Sequence, residues 1–146
     1  MIRTQYYPMP KKVASRRHLT RQEKRDLDIE IGFLEGIVHR DPAYVDALQL
    51  LGDDYTKRGK FLSGLDIDQK LSTLRPRDPL VFYNLACSLC LTRNFEQATD
   101  ALEQAINLGY RDFKWLAEDP DLHDLRKQPI YGRIRAKLRL MKVRVR

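Results

Sequence analysis

The chain has 146 residues, with 27 Lys/Arg against 20 Asp/Glu and a formal net charge of +7. That length is enough for one domain with a real core, and no apolar run approaches the roughly 18 residues needed to cross a bilayer. The charge is unevenly spread: residues 1–25 hold eight Lys/Arg and one acid, residues 126–146 hold nine and none, and the body between them is acidic, so an acidic middle carries two basic ends.

Residues 1–19 read as a basic irregular arm. Pro8 and Pro10 oppose a regular helix, and Lys11, Lys12, Arg16, Arg17 and His18 are strongly polar. The stretch has no acid before Glu23, as in organelle transit peptides, but Tyr6, Tyr7, Pro8 and Pro10 suit an amphipathic helix poorly, and a secretory apolar segment is lacking. Two cysteines make no disulfide framework, so a reducing cytoplasm is expected.

Thr20-Arg21-Gln22-Glu23 has the form of a capping box, which predicts a leading helix over 20–42. Leu27, Ile31, Leu34 and Val38 form one apolar stripe on it, and Ile29, Phe33 and Ile37 an adjoining one, with Glu30 between the two. Asp41-Pro42 ends it. Residues 45–78 then hold a helix with Leu48, Leu51, Gly52 and Tyr55, a turn at Arg58-Gly59-Lys60, and a second helix with Phe61, Gly64, Leu65, Leu71 and Leu74, closed by Pro76. Asp53-Asp54 reads as an ordinary carboxylate pair on a helix surface.

Residues 79–108 repeat this plan more strongly. Phe82, Leu85, Ala86 and Leu89 share one helix face, and Ala98, Ala101, Leu102, Ala105 and Ile106 share another, with a turn at Thr92-Arg93-Asn94. One interval separates Leu51-Gly52 from Leu85-Ala86, Tyr55 from Leu89, Phe61 from Phe95, and Pro42 from Pro76. A repeat of this length, with Phe82, Leu85, Ala86, Leu89, Ala98, Leu102 and Ala105 at the signature positions, resembles the tetratricopeptide repeat (TPR), whose period is about 34 residues. Leu48, Asp68 and Tyr110 depart from the signature. The resemblance implies an all-α fold, a short α-solenoid of antiparallel helix pairs with a C-terminal capping helix. Residues 20–146 form a single domain: the leading helix, repeats at 45–78 and 79–112, and a degenerate repeat with capping helices at 113–146.

In that last part Gly109 to Leu116, followed by Asp119-Pro120-Asp121-Leu122 and Leu125-Arg126, is similar to the terminating segment of some bacterial TPR arrays. Asp119-Pro120 reads as a helix start, and a final helix from about Pro129 carries Ile130, Ile134, Leu138 and Met141 on one side.

By the same resemblance the first helix of each repeat lines a peptide-binding groove. Its lining here is Gln49, Asp53 and Thr56, then Leu80, Tyr83, Asn84, Cys87 and Leu91, with Lys114 beyond, and Tyr83 as apolar anchor. Helix 79–92 is apolar nearly all round, so a second covering is expected: a ligand peptide, another subunit, or the chain's own arm. The carboxylate clamp of some relatives does not fit, because Asp53 and Glu118 stand where it needs positive or neutral groups. Cys87-Ser88-Leu89-Cys90 falls mid-helix, away from the helix N-terminus where redox pairs sit, and reads as two small buried residues. No metal motif, phosphate loop or catalytic constellation is present.

These features point to a non-enzymatic protein–protein interaction module without cofactor, metal or small-molecule substrate: an adaptor, chaperone-like carrier or assembly factor that binds a peptide or protein segment. A homodimer through the exposed side of the leading helix is a second partner class. An alternative function is binding to nucleic acid or anionic membrane through the basic ends, with Arg133, Arg135, Lys137, Arg139 and Lys142 on the last helix.

Overall fold

The structure, a computed structural model, describes residues 18–141; residues 1–17 of the expected arm, and Lys142, Arg144 and Arg146, lie outside the described residues. Among the described residues there is no strand. The helices are α1 (Arg21–Arg40), α2 (Val45–Arg58), α3 (Phe61–Leu74), α4 (Pro79–Leu91), α5 (Phe95–Leu108), α6 (Phe113–Glu118), α7 (His123–Arg126) and α8 (Gly132–Leu140), with 3-10 turns at Pro120–Leu122 and Pro129–Tyr131.

Local chemistry sets the boundaries. The capping box is formed: Thr20 Oγ1 accepts from the Glu23 amide at 3.1 Å, and Glu23 Oε2 accepts from the Thr20 amide at 2.8 Å. Asp78 caps α4, its Oδ1 accepting from the Leu80 amide at 2.9 Å, and Pro79 opens the helix where a missing N–H costs nothing. Gly59, at φ 82°, ends α2 in the left-handed conformation that only glycine adopts without strain. The two-residue link to α3 turns the chain straight back, which makes α2 and α3 antiparallel neighbours.

The backbone hydrogen bonds repeat with the sequence. Gly59 N to Thr56 O and Lys60 N to Tyr55 O recur one period later as Arg93 N to Cys90 O and Asn94 N to Leu89 O. Asp41 N to Ile37 O and Tyr44 N to Asp41 O recur as Arg75 N to Leu71 O and Asp78 N to Arg75 O. Helices α1 to α5 pack each on the next. Where α2 crosses α3 the backbones approach closely: a Cβ on Gly52 would lie 3.2 Å from Ile67 Cγ2.

Among the described residues the buried side chains form two clusters. Ile31, Leu34 and Val38 of α1 join Leu48, Leu51, Ile67 and Leu71, with Val81 reaching in from α4. Leu85, Leu89, Leu102 and Ile106 join Leu116, Leu122, Leu125, Tyr131 and Ile134, with Leu65 reaching back from α3. At the seam the buried Ser88 hydroxyl donates to the buried Asp68 carboxylate. Polar ties hold α1 to α2: Arg58 Nε donates to Asp28 at 2.8 Å, and Tyr55 OH to Glu35 at 2.8 Å.

Three expectations are corrected. The final helix starts at Gly132, not Pro129, because residues 129–131 form a separate 3-10 turn that buries Tyr131. Asp54 is not on the surface; it is 4% exposed, because α1 packs across that side of α2. The second face of α4 is covered by the chain itself, through residues 110–122: Tyr110 stacks on Tyr83, and the 3-10 turn at 120–122 packs against α4.

Candidate peptide-binding surface

Tyr83 and Cys87 lie on the face of α4 turned towards residues 110–122. The Tyr83 and Tyr110 rings stack, centroids 4.2 Å apart and planes within 8°. The Tyr83 hydroxyl donates to Asp119 Oδ2 at 2.6 Å, and Cys87 Sγ donates to the same oxygen at 3.7 Å. Asp119 Oδ1 accepts from the Asp121 amide at 2.9 Å and so starts the 3-10 turn. Arg126 closes the arrangement by donating to the carbonyls of Asp119 and Leu116, at 2.8 and 3.1 Å. Burial, reinforced by the nearby Cys87 and Asp119, raises the Tyr83 phenol far above its ordinary pKa, and burial also raises Tyr110, so Tyr83 is locked as a donor. A buried acid with this many donors is a structural clasp.

The row of expected groove residues is therefore divided. Tyr83 and Cys87 are buried, 5% and 0% exposed, and do not line an open groove. Gln49 and Asp53 on α2, and Leu80, Asn84 and Leu91 on α4, are half-buried, and Lys114 on α6 is exposed. Cys90 is buried beside Cys87 and is not disulfide-bonded.

Leu91 opens onto something the sequence did not reveal. Two adjoining clefts, of about 630 and 520 Å³, lie where the α2–α3 and α4–α5 turns meet residues 118–126. They share Phe61, Leu91 and Arg93. Phe61 and Leu91 give an apolar floor; Arg93, Arg126 and His123 supply basic groups, and Glu118, Asp121 and Asp124 acidic ones. Arg93 occupies the place in its repeat that Gly59 holds in the one before, and it stands at φ 64°. Its guanidinium lies 5.0 Å from the Phe95 ring centroid and 3.8 Å from Asp124. A non-glycine residue in that conformation is a small reservoir of strain next to a cleft. The mixed charges and apolar floor suit a polypeptide segment anchored by one apolar side chain. Among the described residues no group of three or more His, Cys, Asp or Glu is placed to hold a metal ion.

The basic residues of the last helix are partly engaged within the chain. Arg133 bridges Asp100 and Glu103, both at 2.8 Å. Arg135 lies 4.8 Å from the Tyr131 ring centroid and donates to the Arg126 carbonyl at 3.1 Å. Lys137 is half-buried and Arg139 exposed, while Lys142 lies outside the described residues. No helix among the described residues is long and apolar enough to cross a membrane.

No protein-family model matches the chain. Over 79 residues it is 33% identical to a chloroplastic protein of Arabidopsis thaliana. The match takes in 52% of this chain and 24% of that protein, so the chain spans about a quarter of the length of the relative to which it is similar.

Proposed function

We propose that the chain is a non-enzymatic TPR-like interaction module, an adaptor or assembly factor, that holds an extended segment of another protein at the turn end of its helix pairs. The observation that carries this reading is the pair of open clefts with an apolar floor of Phe61 and Leu91, at the end of helix pairs whose turn hydrogen bonds recur with the sequence period. The segment's apolar anchor sits on Leu91 and Phe61. Arg93 meets its carbonyls or an acidic side chain, and Asn84, Gln49 and Asp53 supply hydrogen bonds along α4 and α2. Buried, unbridged cysteines fit a reducing compartment. The expected cytoplasm is one such compartment, and the relative is described as chloroplastic.

The test is affinity capture with the full chain and with Leu91→Glu and Arg93→Gly, followed by titration of a purified captured partner. Each variant is expected to weaken binding at least about tenfold, with melting curves that show a folded protein. Full affinity in both variants refutes the cleft as the binding site.

A further inference from the structure

Helix α1 is fastened to the body by one side only. Ile31, Leu34 and Val38 are buried against α2, and Asp28 and Glu35 make the polar ties. The opposite side carries Ile29, 72% exposed, and Phe33, 69% exposed. At 100° per residue, Asp26, Ile29, Phe33, Ile37 and Arg40 fall within about 40° of one line along the helix, with Ile37 at its edge half-buried against the α1–α2 cluster. One period after Phe33 and Ile37 stand Ile67 and Leu71, and one period further on Ala101 and Ala105; all four are buried, on helices that pack against an antiparallel neighbour. The stripe on α1 is thus the face that its counterparts use for helix pairing.

The order of residues along the stripe names the occupant. Asp26 and Arg40 are both exposed and lie seven residues either side of Phe33. Ile29 and Ile37 lie four residues either side. A second α1 laid antiparallel, with the twofold axis at Phe33, sets Phe33 on its own copy, Ile29 on Ile37 of the second copy, and Asp26 on Arg40 of the second copy, each twice. A Cβ built on Gly36 or Gly32 meets nothing within 4 Å, so the backbones have room to come close. We propose that the chain forms a homodimer through this antiparallel α1–α1 contact.

A helix of 20 residues is about 30 Å long, and contact along one helix falls below the roughly 1,200 Å² of tight complexes. The dimer is therefore expected to dissociate on the order of 10 µM. Analytical ultracentrifugation of the full chain at low salt gives the reference constant. Asp26→Lys alone and Arg40→Glu alone each set like charges against each other at two sites and are expected to weaken the dimer about tenfold. The double variant, and equally an equimolar mixture of the two single variants, restores opposite charges and the wild-type constant. Phe33→Glu is expected to give a monomer with an unchanged melting temperature, because the side chain is exposed. A wild-type chain that stays monomeric at about 100 µM overturns the proposal, as does a dimer in which the double variant and the mixture bring no recovery. A monomer that dimerises only after residues 1–17 are removed also overturns it, and assigns the stripe to that segment.

Discussion

At Asp54 a buried carboxylate on α2 lies beside Glu30 of α1. Burial first, and then the neighbouring Glu30 charge, push its pKa up from 3.8 to about 6. A raised folded-state pKa means that the stabilising form is the protonated one. Its contribution is complete below pH 3.8 and is lost as pH rises through about 6. Asp54→Asn is therefore expected to stabilise the fold at pH 7.5 by about 1 kcal/mol, after allowance for solvent screening and Lys57, and to have no effect near pH 4. Thermal melts of the two proteins at both pH values check this. The sequence shows only two adjacent aspartates; which one is enclosed depends on the angle at which α1 crosses α2. Arg93 is the converse case. Replacing it with glycine removes a left-handed non-glycine residue and is expected to stabilise by about 0.5–1 kcal/mol in chemical denaturation, even as the proposed cleft loses its cation.

Among the elements, α4 and residues 110–122 depend on each other. Tyr83→Phe keeps the stacked ring but leaves Asp119 Oδ2 with only the weak Cys87 donor, and is expected to cost about 1–3 kcal/mol in urea unfolding. A loss below about 0.5 kcal/mol would mean that the clasp contributes little. The helices themselves were legible because a helix announces itself locally: the capping box at Thr20 and Glu23, Pro79 after Asp78, and the apolar spacing of 82, 85, 86 and 89 all lie within a turn or two of what they specify. The covering of α4 was not legible, since it rests on contacts distant in sequence: the Tyr110 ring on Tyr83, and Asp119 accepting from the hydroxyl of that tyrosine 36 residues earlier. Read alone, Asp119-Pro120 is a helix cap, and so it also proves. The clefts were missed for the same reason, since their walls come from three turns far apart in sequence.

At the scale of the whole molecule, the described residues hold two apolar clusters, with Leu65 of α3 in one, Val81 of α4 in the other, and the Ser88–Asp68 hydrogen bond between those two helices. Packing runs mostly between successive helices, so the two halves need not open together. Amide hydrogen exchange should show α1 exchanging first, α4 and α5 last, and α2 and α3 between; uniform protection from Arg21 to Leu108 would contradict this. Asp68→Leu removes the acceptor of the buried Ser88 hydroxyl and is expected to separate the two steps further in denaturant titrations. An opening confined to α1–α3 gives the protein a graded susceptibility to proteolysis. A protease able to act only on the opened half would cut on the N-terminal side of α4 and release a fragment whose own cluster, from Leu85 to Ile134, is still folded.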